Sequence, residues 1–298
     1  MNNNLCIIDG GMGRELQDIG APFSQPLWSA QALIEAPEFV SMAHQNFVNA
    51  GAQIIIANSY ACVPFHLGEA RYQRDGAKLA TLAAKIARQV SLTSTHVRVA
   101  GAIPPAFGSY RPDLFDAQQA AKICLTLINA QAPYVDLWIA ETISSVAEYD
   151  VISTALGGNE KPSYYAFSLD DTSPTRPLLR SGESVELVCR RICSSQAQGI
   201  LFNCSVPEVM LQAVKVAKQI CQQQNRLIEV GVYANNFMPI DTDHEANQDL
   251  QLMRELSPQD YLNYAKRWYE AGATIIGGCC GIGPSHIQAL AQWKSQLT

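Results

Sequence analysis

Eight short apolar runs, spaced along the whole chain, constrain its fold more than any other feature. They lie at 5–9 (LCIID), 53–58 (QIIIAN), 97–103 (VRVAGAI), 135–140 (VDLWIA), 163–169 (SYYAFSL), 199–203 (GILFN), 227–233 (LIEVGVY) and 273–278 (ATIIGG). Nearly continuous apolar character marks strands buried on both faces, as in a parallel sheet. Between the runs the pattern changes to a helical period. Ala120, Ile123, Cys124, Leu127 and Ile128 keep the i, i+3, i+4, i+7, i+8 spacing, as do Val185, Val188, Cys189, Ile192 and Cys193, and Tyr261, Tyr264, Ala265, Trp268 and Tyr269. Start signals agree: Ser205-Val206-Pro207-Glu208 reads as a capping box, and Ser257-Pro258 as an N-cap followed by proline at the first helical position. Eight strands alternating with helices over 298 residues predict one α/β domain, 1–298, folded as a (β/α)8 TIM barrel. An open doubly wound sheet is the structural alternative.

A barrel places its chemistry beyond the C-terminal ends of its strands. Those positions hold Asp9, Asn58 to Tyr60, Glu141, Asp170, Asn203-Cys204, Tyr233 to Asn235 and Cys279-Cys280. Polar and ligand-type residues recur where the apolar runs stop.

Composition narrows the partners. A net charge of −6, with no Lys/Arg block, disfavours nucleic acid and anionic membranes. No run reaches the ~20 apolar residues of a membrane helix, and the start MNNNLCIIDGG lacks a signal-peptide core. Nine cysteines without such a signal point to a reducing, cytoplasmic setting, where they pack, bind metal or react.

Those cysteines divide by position. Cys124, Cys189, Cys193 and Cys221 lie on apolar helix stripes and read as core; Cys6, inside a strand, reads as packing. Cys62 follows the second strand. Cys204, Cys279 and Cys280 each follow a strand on the functional side. Adjacent residues of a regular strand point to opposite faces, so Cys279 and Cys280 share one ion only if the chain turns there. Gly277, Gly278 and Gly281 are expected to supply that freedom. Three thiolates make a strong zinc site with one open tetrahedral position, the mark of a catalytic centre. The alternatives are strand-end packing and a vicinal disulfide. The scattered His44, His66, His96 and His286 read as surface or helix residues, and the acidic stretch 241–249, with His244, as a solvated loop. Gly11-Met12-Gly13 lacks the third glycine of a dinucleotide fingerprint, since position 16 is leucine.

At this point the chain resembles the homocysteine S-methyltransferase family. The resemblance is carried by IIDGGMGREL (7–16), LWSAQALIEAPE (27–38), AGAQIIIANSY (50–60), IAETISSVAE (139–148), FNCS (202–205), VYANN (232–236) and GGCCGIGPSHI (277–287). It implies a zinc-dependent barrel whose substrates are small molecules: homocysteine, and an onium methyl donor such as S-methylmethionine or S-adenosylmethionine. Cys204, Cys279 and Cys280 match the family's zinc ligands. Glu141, with Asp9, matches the acceptor of the substrate ammonium; the Gly10 and Gly11 amides are expected to form a nest for its carboxylate, and Asn235 to fill the fourth zinc position before substrate arrives. Trp28 and Tyr60 are expected to pack on a cation. Arg14 stands where many members carry threonine, and the loop 103–115 (IPPAFGSYRPDLF) differs from members that use S-methylmethionine. Both fall where a donor would bind. A betaine-type donor, another thiol acceptor, a zinc hydrolase and a non-enzymatic zinc or thiol sensor are the competing readings.

Overall fold

The computed structural model describes residues 5–239 and 252–297, so the acidic stretch 241–249 lies outside the described residues. Every apolar run becomes a strand: β1 (Cys6–Ile7), β2 (Ile54–Ile56), β3 (Arg98–Ile103), β4 (Leu137–Ile143), β5 (Ser163–Phe167), β6 (Gly199–Asn203), β7 (Glu229–Tyr233) and β8 (Ile275–Ile276). All pair in parallel in one sheet of order β1-β8-β7-β6-β5-β4-β3-β2. The sheet closes where Ile8 bridges Ile54. There Gln53 N–H donates to Ile7 O (2.7 Å) and Asp9 N–H to Ile54 O (3.0 Å). Closure decides for the TIM barrel over the open sheet. No helix among the described residues is long and apolar enough to cross a membrane.

Alternation along the strands builds two apolar layers. Ile8, Ile54, Ala100, Leu137, Ile139, Leu201 and Tyr233 fill the barrel interior. Their sequence neighbours, such as Ile7, Ile55, Trp138 and Ile200, face the ring of helices. Cys124, Cys189, Cys193 and Cys221 lie in that outer layer as predicted, and Cys62 is core as well. Cys193 and Cys221 meet each other at 3.9 Å. His44, His66 and His286 are helical but buried, not on the surface. Two of them bond to carbonyls, His66 Nδ1 to Pro26 O (3.1 Å) and His286 Nε2 to Leu256 O (2.9 Å).

Two local expectations separate here. Ser257 caps the helix Pro258–Glu270, accepting from Asp260 N–H. Ser205 does not cap: Val206 occupies the N-cap of the helix Pro207–Gln223, and the buried Ser205 hydroxyl accepts from Leu169 N–H (2.8 Å). Cys204, at φ 49, turns the chain just before it and carries Ser205 inward.

The glycines around Cys279-Cys280 also divide. Of the three, Gly281 alone is left-handed, at φ 79. Ile282 N–H donates to Cys279 O (3.0 Å), closing a four-residue turn with Gly281 third, the position that requires positive φ in a type II turn. Gly277 and Gly278 serve proximity instead of freedom. A Cβ on Gly277 would meet the carbonyls of Asp9 at 2.8 Å and Ile8 at 2.9 Å. We therefore expect Gly277→Ala to cost about 1–3 kcal/mol in denaturant unfolding, the usual cost of overpacking. Gly158→Ala, in open space, should be near neutral. Equal stabilities would remove the close-approach role.

Candidate metal and substrate site

The strand ends converge through main-chain hydrogen bonds. Gly278 N–H donates to Asp9 O (2.9 Å), Cys279 N–H to Ala234 O (2.9 Å), Asn236 N–H to Cys280 O (2.8 Å) and Cys204 N–H to Tyr233 O (3.3 Å). These bonds tie the ends of β1, β6, β7 and β8 together. They bring Cys204, Cys279 and Cys280 into the one group of His, Cys, Asp or Glu among the described residues that can hold a metal. All three Sγ atoms lie within 4.8 Å of one another. Cys204 and Cys279 are 2.6 Å apart, and Cys279 and Cys280 4.0 Å. Without metal the trio shares protons unequally. Hydrogen bonds from the Cys279 and Cys280 thiols hold the Cys204 thiol pKa well below its usual value, and the same contacts push the Cys279 pKa up.

Beside the sulfurs, β4 carries Glu141. The strand runs three residues past its predicted end, and its pairing with β5 shifts register between Ala140 and Ile143. A bulge of this kind re-aims side chains. Thr142 within it sits at φ 58, an outlier for a β-branched residue. Asn203 braces it: Thr142 N–H donates to Asn203 Oδ1, and Asn203 Nδ2 to Thr142 Oγ1, each at 3.0 Å.

Glu141 and Asp9 are both buried, and no lysine or arginine among the described residues perturbs either. Asp9 Oδ2 accepts from Ile56 N–H (2.7 Å). Desolvation pushes both carboxyls up to about 8, with Cys204 and Asp9 adding repulsion at Glu141.

The remaining predicted residues fare differently. Gly11 N–H already donates to Ile282 O (2.9 Å), and neither Gly10 nor Gly11 has positive φ, so the expected carboxylate nest is not formed. Both glycines let two backbones touch: a Cβ on Gly11 would meet Cys279 O at 2.5 Å. Asn235 adjoins the sulfurs, yet its Oδ1 accepts from Phe237 N–H (3.2 Å), while its buried Nδ2 has no partner among the described residues. Trp28 meets His66 edge-on at 6.3 Å, and Tyr60 lies 6.3 Å from the same ring, forming an aromatic patch. Tyr60, just after β2, shares a hydrogen bond with Ser109 (2.6 Å) in the loop that carries Tyr110. Arg14 stands apart, ion-paired with Asp18 (3.0 Å) and donating to Met253 Sδ (3.6 Å).

Sequence reasoning passed over Tyr110, Arg180 and Asp171, and gave the strand-end Tyr233 no role. Tyr110, in the loop 103–115, donates to Cys204 O (3.0 Å). Arg180 lies 4.7 Å from the Tyr110 ring centroid and pairs with Asp171 at 2.8 Å, both side chains almost fully buried. Asp171 also accepts from Val206 N–H (2.9 Å), which ties this brace to the chain after Cys204. Tyr233 closes β7 inside the barrel, a strand-end position already read from the sequence.

The raised carboxyls give a signed pH prediction. The native state keeps a proton on Glu141 that the unfolded chain releases near 4.5. This stabilisation is complete below 4.5 and is lost as pH rises toward 8. In chelator-treated protein, Glu141→Gln should therefore match wild type at pH 4.5 and exceed its stability at pH 8, by about 4 kcal/mol. A variant less stable than wild type at pH 8 would reveal a cation partner for Glu141.

Comparison with known proteins places this geometry. The family model described as homocysteine S-methyltransferase matches residues 6–293. Homocysteine S-methyltransferase 1 of Zea mays is 27% identical, over 96% of this chain and 93% of its own. Selenocysteine methyltransferase of Astragalus bisulcatus is 23% identical, over 96% and 91%. The metallated crystal structure of the homocysteine methyltransferase MmuM from Escherichia coli superposes with a TM-score of 0.79 at 24% identity, covering 97% of this chain and 96% of that one; it supports the fold. With three sulfurs at the mouth of a closed barrel and a family match from β1 to the last helix, the chain belongs to the homocysteine S-methyltransferase family.

Proposed function

We propose that this chain, acting as one domain over 1–298, moves a methyl group from a small sulfonium donor to the thiol of L-homocysteine, giving methionine. S-methylmethionine and S-adenosylmethionine are the donors of that class. The observation that carries the reading is the convergence of Cys204, Cys279 and Cys280 beside two buried carboxyls that have no cation.

The donor set fits zinc. Three sulfurs within 4.8 Å of one another, with no histidine or carboxylate among them, suit a soft, tetrahedral-seeking cation. Cys204, Cys279 and Cys280 would hold it, and bound zinc would keep the substrate sulfur ionised at neutral pH. The other tasks fall to the chain itself. Glu141, assisted by Asp9, accepts the substrate ammonium, and a bound cation returns both carboxyls to their charged form. Asn235 is better disposed to offer its free Nδ2 to the substrate carboxylate than its engaged Oδ1 to a metal. Trp28 and Tyr60 present aromatic faces to a sulfonium. The brace of Asp171, Arg180 and Tyr110 holds the Cys204 carbonyl.

Methyl transfer breaks the donor's S–CH3 bond, and that electron pair stays on the donor sulfur. The homocysteine sulfur forms the new bond with its own pair. A cation and a thiolate become two neutral thioethers, so an anion-rich pocket favours the donor's binding without trapping the product. Aligning the two sulfurs supplies much of the rate.

Zinc-loaded protein incubated with homocysteine and, separately, S-methylmethionine, S-adenosylmethionine or glycine betaine should form methionine with a sulfonium donor, read by mass spectrometry. Product with betaine alone would move the donor class. No product with any donor would defeat the proposal. Cys204→Ser and Cys280→Ser should each lose stoichiometric zinc together with activity. Full zinc content in both would place the metal elsewhere.

A further inference from the structure

The Tyr233 hydroxyl is buried without a hydrogen-bond partner among the described residues. Tyr233 is the last residue of β7 and is only 1% exposed. Its ring belongs to the barrel-interior cluster, against which Cys279 packs. Its carbonyl accepts from Cys204 N–H, fixing it next to a second sulfur residue. Glu141, Cys279 and Cys204 are the charges it feels most. Tyr233 therefore lies at the top of the barrel interior, packed in the cluster that Cys279 joins and bonded through its carbonyl to Cys204.

A buried hydroxyl is nearly always paired, because leaving it unpaired forfeits the hydrogen bond it made with water. The interior apolar layer here would accommodate phenylalanine equally well. Of the unpaired buried tyrosine hydroxyls among the described residues, this one belongs to a strand-end residue packed beside the cysteine cluster, where a ligand can supply the partner. A tyrosine hydroxyl is a donor at neutral pH.

We propose that Tyr233 is a substrate-contact residue whose hydroxyl donates a hydrogen bond to the sulfur of bound homocysteine. This rests on the reading above, in which that sulfur joins Cys204, Cys279 and Cys280. The bond selects for an anionic sulfur over a neutral thioether, because charge-assisted hydrogen bonds are about twice as strong as neutral ones. Tyr233 thereby favours homocysteine over the methionine that must leave.

The test is Tyr233→Phe in the zinc-loaded full chain, with homocysteine and methionine affinities measured by calorimetry and melting followed without ligand. Removing an unpaired hydroxyl should leave the ligand-free melting temperature unchanged or higher. Homocysteine should bind about tenfold more weakly, and methionine within about twofold of wild type. Unchanged homocysteine affinity would overturn the proposal. Equal losses for both ligands would overturn the sulfur contact, and a lower ligand-free melting temperature would show that the hydroxyl already has a partner. If wild type itself binds no homocysteine, the proposed function fails first, and the two failures are distinct.

Discussion

The structure depends on a lattice of main-chain hydrogen bonds that fastens the loop after β8 to the ends of β1 and β7. Gly278 and Gly11 bridge this loop to the turn after β1, through Asp9 O and Ile282 O. Cys279 and Asn236 bridge it to the end of β7. Backbone bonds of this kind need close approach: a Cβ on Gly10 or Gly11 would collide with the carbonyl of Ile282 or Cys279, and one on Gly277 with those of Ile8 and Asp9. The positions of Cys279 and Cys280 are thus set by peptide groups, not by flexible side chains. Preorganisation of that sort lets three thiols stand ready as one cluster.

Charge explains why such a cluster is not simply core. Cys204, Asp9 and Glu141 gather acidic groups in one buried space, and desolvation disfavours every anion there. The buried cation nearby, Arg180, is committed to Asp171 and to the Tyr110 ring. What remains is a site short of positive charge. A metal among the sulfurs, an ammonium at Glu141 and a sulfonium near Trp28 and Tyr60 would each relieve the same deficit.

Much of this was legible in the sequence because it rests on periodicity. Each of the eight apolar runs contains a strand, and the residues following them, Asp9, Cys204 and Cys279-Cys280, sit at the mouth. What stayed hidden depends on backbone angles that carry no residue signature. Cys204 at φ 49 and Thr142 at φ 58 occupy a conformation usually left to glycine. The first turned Ser205 from a cap into a buried brace; the second belongs to the bulge that extends β4 past its predicted end. The Gly10-Gly11 nest failed for a related reason, since glycine signals either free torsion or close contact, and here it signals contact. Arg180 and Tyr110 were hidden by distance, meeting across 70 positions of sequence only because the loops after β3 and β5 fold over the same mouth.

The two ends of the barrel differ in how their carboxyl groups are compensated. At the end where strands begin, charges find partners: Arg88 pairs with Asp136 (2.6 Å), Tyr164 donates to Glu229 (2.6 Å), and Lys294 bonds Gln53. At the end where they finish, Asp9 and Glu141 have no cation, and Tyr233 and the Asn235 amide nitrogen are left unpaired. Both ends belong to the same eight strands, so the difference cannot come from limits of the fold. Groups that complete one another within the chain stabilise it. Groups left incomplete cost stability and keep their valence for a ligand. The uncompensated carboxyls therefore mark the same end of the barrel as the cysteine cluster does.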